Sequence, residues 1–294
     1  MKPPLTLLRH GPGEALHDLS LARALLDSVR SGERGAVLRI YRPAPTAAFG
    51  ARDRFLDGFP AAVEAARAEG FTPALRTLGG RIAAYHGGSL VIDHIEPTGE
   101  FLTETQDRFV RFGEMYAAAL RTIGVDARMG EIPGEYCPGE HSVNVGGRIK
   151  AIGTAQRVVS GAWLFSSSVI VEDPAPVRSV LTAVQAALGV DWEPETGGAI
   201  SELHPGISVE AVEAALLRSY SREFELTEGG LTAADARAAA AYVPKHRLPG
   251  TGEAAAPGGT VDGAGPGRAA DAVDDEAGGG SRSHAVPSSR VSAP

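Results

Sequence analysis

Apolar side chains recur along this chain with two periods, and each period predicts its own element. Leu21, Leu25, Leu26 and Val29 fall at helical spacing, as do Phe109, Phe112, Tyr116, Leu120 and Ile123. Asp18 or Ser20 is the candidate cap of the first helix, and Gly124 ends the second. Pro60–Gly70 reads as a short Ala-rich helix stopped by glycine. Pro174–Leu188 and Ser208–Tyr220 read as amphipathic helices, the latter with Ser208 as N-cap. Strand-like runs occupy Ala36–Tyr41, Leu90–Ile95 and Leu164–Val171. Ser142–Val145 and Ile149–Gly153 form a hairpin around Gly146-Gly147, a pair that suits a tight two-residue loop. Hairpin strands mixed with helices, without strict βαβα order, predict an α+β fold.

That patterning stops near Leu248. From Pro249 to Pro294 there is no Leu, Ile, Met, Phe, Tyr or Trp, and four valines are the only apolar residues larger than Ala or Pro. Such a stretch cannot bury enough surface to offset its ordering entropy, so 249–294 is expected to be a disordered Gly/Ala/Pro-rich tail. The expected organisation is one folded domain over 5–226, a C-terminal helix within 227–248 (about 232–243), and that tail. Net charge is −8, so no general basic surface is available for a nucleic-acid backbone. No apolar stretch is long enough to span a bilayer, and a cytoplasmic protein is expected. One cysteine excludes an internal disulfide and any multi-cysteine metal site, and the eight histidines show no ligand spacing, so no metal is expected. Phosphate-loop, nucleophile-elbow and zincin motifs are absent.

Three segments carry candidate chemistry. Cys137 stands in Gly134-Glu-Tyr-Cys-Pro-Gly139, where proline and glycine force a turn and put the sulfur on a loop. Its alternatives are a small inert hydrophobe and a nucleophile; a nucleophile needs a nearby cation, and its sequence neighbours Glu135 and Glu140 carry the wrong sign. Lys150, on an apolar strand between glycine turns, is either a solvated lysine or that cation, placed to support a thiolate and a developing oxyanion. Arg76-Thr-Leu-Gly79-Gly80 is either a plain turn or a loop whose backbone N–H groups approach a ligand, with arginine for its anionic end.

Together and in order over about 15–225, these segments resemble the lipoate–protein ligase / octanoyltransferase superfamily, which includes the biotin–protein ligase catalytic domain. AVLRIYRPAPTAAFGARDRF resembles its first strand and loop, RTLGG its Arg-x-x-Gly-Gly element, GGRIKAIGTAQR its lysine signature and ISELHPGISVEAVEAAL its late loop and helix. GEYCPGEHSVNVGGRIKAIGTAQR is similar to the cysteine-dependent octanoyl-[glycine cleavage H protein]:protein amidotransferase branch. The resemblance implies mixed, largely antiparallel sheets packed with helices. It implies Cys137 as nucleophile forming an acyl-thioester, Lys150 as the family lysine, and Arg76, Gly79, Gly80, Gly153, Ala155 and Gln156 as substrate-binding residues. The implied acyl donor is acyl carrier protein or the glycine cleavage H protein, and the implied acceptor is a lipoyl domain of a 2-oxoacid dehydrogenase. The implied acyl group is octanoyl or lipoyl, and no cofactor is required. The alternatives on the same scaffold are an ATP- and Mg-dependent lipoate–protein ligase, using Lys150 to bind an acyl-adenylate, and a non-catalytic acyl-binding protein. Arg81 and the segment from His86 depart from the family pattern where the acyl chain would lie.

Overall fold

The structure is a computed structural model and describes residues 1–11, 13–98 and 105–248, so the expected tail 249–294 lies outside the described residues. The chain begins with β1 (Pro4–His10), α1 (Ala15–Arg30), β2 (Val37–Tyr41) and β3 (Thr46–Phe49). A 3-10 turn (Ala51–Phe55), α2 (Phe59–Ala68), β4 (Thr72–Leu75), β5 (Ala83–Tyr85) and β6 (Ser89–Pro97) follow. Then come α3 (Thr105–Arg121), β7 (Ala127–Met129), β8 (Val143–Val145), β9 (Ile149–Val159) and β10 (Ala162–Ile170). The last elements are α4 (Pro174–Leu188), α5 (Ile200–Leu203), α6 (Val209–Glu223), β11 (Glu225–Gly229), α7 (Ala233–Ala240) and α8 (Val243–His246).

The fold is α+β. Eight strands form one sheet in the order β11-β1-β2-β6-β10-β9-β8-β7, and β4-β3-β5 form a second. Parallel pairing is confined to β1 with β11 and β2, and β3 with β4; the remaining ladders are antiparallel. The β8–β9 connection runs through Gly146 and Gly147 at φ 61° and 66°. A type I′ turn needs positive φ at both positions, which explains the glycine pair.

Strand alternation gives the large sheet two different faces. On one, Trp163 and Phe165 of β10 meet Phe112, Tyr116 and Leu120 of α3 and Leu216 and Tyr220 of α6 in a closed aromatic core. Tyr116 and Tyr220 satisfy each other's hydroxyls at 2.9 Å inside it. Among the described residues the other face is covered only at its two ends. There α1 packs on the row Val37, Ile95 and Leu164, while α2, α4 and the small sheet pack on Tyr41 and Val91. Between these covers run two cross-strand rows, Arg39–Asp93–Ser166–Ala155 and Tyr41–Val91–Ser168–Gly153.

The start of α1 departs from the sequence reading. The helix begins at Ala15 behind Glu14, so Asp18 and Ser20 lie inside it and cap nothing. Asp18 is buried because Arg39, fully buried on β2, takes its carboxylate at 2.7 Å, and Ser20 donates to the Leu16 carbonyl at 2.6 Å. Ser208 does cap α6, accepting from the Ala211 N–H at 3.2 Å. Beyond residue 226, β11 completes one sheet edge, and the last helices return to the body through Arg34–Asp235 and a hydrogen bond from His246 to the Leu75 carbonyl at 2.7 Å.

Candidate active site

The uncovered middle of that second face floors a cavity of about 480 Å³, within the roughly 300–1,000 Å³ range of small-molecule sites. Its floor is made of short side chains, Gly153, Ala155, Ser166 and Ser168; Leu19 and Ala22 of α1 form one wall and Ala83 and Tyr85 of β5 another. Cys137, Lys150 and the exposed Gly79 and Gly80 also line it. All eight residues expected in the site line this one cavity: Cys137, Lys150, Arg76, Gly79, Gly80, Gly153, Ala155 and Gln156.

Cys137 adopts φ 45°, left-handed backbone that a non-glycine residue avoids at a cost of about 1–3 kcal/mol unless its surroundings enforce it. The enforcing group is Glu135, 2% exposed. Its carboxylate accepts from the Ile132 and Gly139 N–H groups at 3.1 Å each, from Ser142 Oγ at 2.7 Å and from Lys150 Nζ at 2.8 Å. One buried anion thus ties together the loop before and after the cysteine. Sequence adjacency had put a repelling charge beside the sulfur; the structure turns that charge inward and neutralises it with Lys150. Tyr136 packs edge-on against Trp192 at 6.0 Å, and burial pushes its phenol well above the ordinary range.

Lys150 spends its three N–H donors on Glu135, on the Tyr136 carbonyl at 3.0 Å and on the Cys137 carbonyl at 2.7 Å. The ammonium therefore holds the main chain under Cys137. A β-bulge aims it there: Val143 pairs with Ile152 while Asn144 pairs with Lys150, so β9 advances two residues as β8 advances one. Regular alternation would place positions 150 and 153 on opposite faces. The bulge puts both on the cavity side, and a Cβ at Gly153 would lie 3.7 Å from Lys150 Cε.

The sulfur is held from the other side by the glycine loop. Cys137 Sγ accepts the Arg81 N–H at 3.1 Å. Gly80 sits at φ 87°, and a Cβ there would come within 3.1 Å of Sγ and 2.6 Å of Arg76 Nη2. Only glycine allows that approach; at Gly79 a Cβ would meet open space. Arg76 lines the cavity, but Nη2 donates to the Arg81 carbonyl at 2.6 Å, so the guanidinium braces the loop that presents the N–H. Gln156 is committed elsewhere: its amide donates to the Thr105 carbonyl at 2.7 Å and accepts from Arg108 at 3.0 Å, which anchors the start of α3. Ala155 continues the floor beside Ser166.

Sequence reasoning did not find the polar network beneath the floor. Arg39 donates to Asp18, to Asp93 at 2.9 Å and to His10 Nε2 at 2.8 Å, and lies 3.8 Å from the Tyr41 ring centroid. Asp93 in turn accepts from Ser166 Oγ at 2.7 Å. Burial raises Asp18 above the usual carboxylate range, and burial with the Arg39 charge lowers His10 to about 4. His10 is therefore neutral near pH 7, and its Nδ1–H is left to donate to the Gly11 carbonyl at 2.8 Å. Alternation along β2 and β6 was the available signal, since Arg39 and Asp93 interrupt otherwise apolar strands. Among the described residues no cluster of His, Cys, Asp and Glu could hold a metal ion, and no helix is long and apolar enough to cross a membrane.

Comparisons with known proteins agree with this architecture. Residues 14–221 match the lipoyl protein ligase A/B catalytic domain. The chain is 30% identical over 148 residues to an octanoyl-[GcvH]:protein N-octanoyltransferase of Geobacillus kaustophilus, a match covering 50% of this chain and 52% of that protein. It is 28% identical over 217 residues to the protein of the same name from Bacillus velezensis, covering 69% of this chain and 75% of the relative. The matches thus span about half of the first relative's length and three quarters of the second's. A lipoate-protein ligase A bound with ATP superposes with a TM-score of 0.65 at 21% identity, covering 83% of this chain and 95% of the other. The bi-partite lipoate protein ligase of Thermoplasma acidophilum gives 0.63 at 22% identity, covering 83% and 93%. At those identities the superpositions establish the shared fold, and the family match runs through the cysteine loop, the bulged lysine strand and the glycine pair. The chain belongs to the lipoyl protein ligase A/B catalytic domain family.

Proposed function

We propose that this chain transfers an octanoyl group between proteins through an acyl-thioester on Cys137. The observation that carries the reading is the sulfur itself: a strained cysteine on the wall of a small-residue cavity, accepting one backbone N–H at 3.1 Å, its carbonyl fixed by a buried lysine. A thiolate there attacks the carbonyl carbon of an acyl-lysine amide. The carbon–nitrogen bond breaks, the donor lysine leaves as an amine with a proton, and the acyl group remains on sulfur. The amine of the acceptor lysine then attacks the thioester, the carbon–sulfur bond breaks, and the thiolate returns as the amine gives up a proton. The Arg81 N–H, already directed at the reacting centre, supports the charge that develops in both steps.

The donor in this reading is the octanoylated glycine cleavage H protein, as the names of the relatives indicate for those enzymes, and the acceptor is a lipoyl domain of a 2-oxoacid dehydrogenase. Acyl carrier protein is the alternative donor. Exchange of amide for thioester proceeds without adenylation, so the reading needs neither nucleotide nor metal. Intact-protein mass spectrometry after incubation with octanoyl-H protein, without ATP, tests it. The expected result is one octanoyl group on the wild type, released by hydroxylamine and absent from Cys137→Ser. Acylation of a lipoyl domain that requires ATP and survives Cys137→Ser would replace this reading with a ligase.

A further inference from the structure

The 3-10 turn Ala51–Phe55 has no part in the chemistry above, yet it is fixed beside the thiol. A Cβ at Gly50 would lie 1.9 Å from the Gly80 carbonyl oxygen, so the turn packs directly on the glycine pair that cradles Cys137. Asp53, fully buried, accepts from the Gly50 N–H at 2.9 Å and lies 3.6 Å from Arg81 Nη1. With Asp53 turned inward, the residues on either side are turned out. Arg52 and Arg54 are exposed and have no hydrogen-bonding or ionic partner among the described residues. Phe55 is 86% exposed, more than any other large hydrophobic among the described residues except Met1. The only acid in the connection to α2 is Asp57.

An aromatic side chain left in water on the same turn as two unpaired arginines, clamped from inside, has the composition of an interface core. On a chain of net charge −8 it is a local reversal of sign, on a turn packed against the glycine pair that touches Cys137 Sγ. We infer that this turn is the docking surface for the carrier domain that presents the acyl-lysine, and that it engages an acidic surface with an apolar contact for Phe55 beside that lysine. The inference rests on the acyl-transfer reading of Cys137, which requires a protein to bring its modified lysine to this rim. Charge complementarity fixes the partner's sign and raises the rate of encounter, while Phe55 supplies contact area. Arg81 extends the cationic rim, but its N–H serves the thiol, so it is left intact in the test.

Two measurements separate docking from chemistry. Fluorescence anisotropy with labelled octanoyl-H protein reads binding by the full chain, and acylation of Cys137 by octanoyl-N-acetylcysteamine reads the site without a protein donor. The R52E/R54E variant should weaken H-protein binding by about tenfold or more and Phe55→Ser by several-fold, and wild-type affinity should fall as salt rises. Acylation by the small thioester should keep its wild-type rate in both variants. Unchanged H-protein affinity in both variants, or no binding by the wild type, overturns the docking surface. So does a wild-type dimer in sedimentation that R52E/R54E dissociates, because a second copy of the chain then covers the turn. Failure of the small thioester to acylate wild-type Cys137 instead overturns the acyl-transfer reading, whatever the binding result.

Discussion

The two faces of the large sheet are built from the same strands and differ at every second residue. On β10, Trp163 and Phe165 enter a closed aromatic core, while Ser166 and Ser168 form the floor of an open cavity. Side-chain size separates the roles: rings exclude water and hold the strands against α3 and α6, whereas serine, alanine and glycine leave a volume that a substrate can fill. One face supplies stability and the other room, and the period of two keeps them apart. The cavity face is also where charge is buried, as Lys150–Glu135 at one side and Arg39 with its acids below.

Removing the Lys150 charge tests the cavity face most severely. Lys150→Met leaves Glu135 buried without its cation and should cost about 3–5 kcal/mol in urea denaturation, with loss of Cys137 acylation. Adding Glu135→Gln should recover much of that stability without restoring activity. On the other face, Phe112→Ala should cost a comparable 3–5 kcal/mol while the surviving folded protein keeps its acyl-chain preference. If that variant instead changed chain preference at full stability, the division between the faces would be wrong.

Gly153→Val sharpens the comparison from the cavity side. A Cβ there makes ordinary contact, 3.5 Å from Ser168 Oγ, so the fold should tolerate the added bulk within about 1 kcal/mol. Competition between octanoyl and butanoyl thioesters should then shift toward the shorter chain. The last effect is with pH. His10 is held neutral, its affinity for protons lowered from 6.5 to about 4, so the folded chain binds fewer protons than the unfolded one between those values. Its contribution is fully present above about 6.5 and is lost as pH falls toward 4, whereas the raised Asp18 works in the opposite sense. Thermal melts of His10→Gln should rise less steeply with pH across that window than those of the wild type.

Long periodic segments were readable from sequence because their buried faces repeat: α3, α4 and α6 fall where the apolar spacing puts them, and the double-glycine hairpin where its turn chemistry does. Strands of three or four residues, β3, β4, β5 and β7, are too short to show a period. Local residue chemistry singled out Cys137, Lys150 and the glycine pair, the resemblance ordered them, and the cavity assembles all of them. The role of Glu135 was hidden because its partner lies 15 residues away, and adjacency suggested repulsion. The Arg81 donor was hidden for a simpler reason. It is a backbone N–H, and no letter of the sequence reports where it points.

The bulge in β9 makes residue count, as much as residue identity, a determinant of the site. Val143–Ile152 and Asn144–Lys150 pairing means that the hairpin half and the floor half of one strand are phased independently. Point substitutions at Ala151 leave that phasing alone, but insertion of one residue between Val143 and Asn144 gives Ala151 a partner, restores regular alternation along β9 and swings the lysine toward the aromatic side while every residue of the lysine motif is retained. A chain altered in that way would still look like a family member by composition and order, and its Cys137 loop would have lost its anchor.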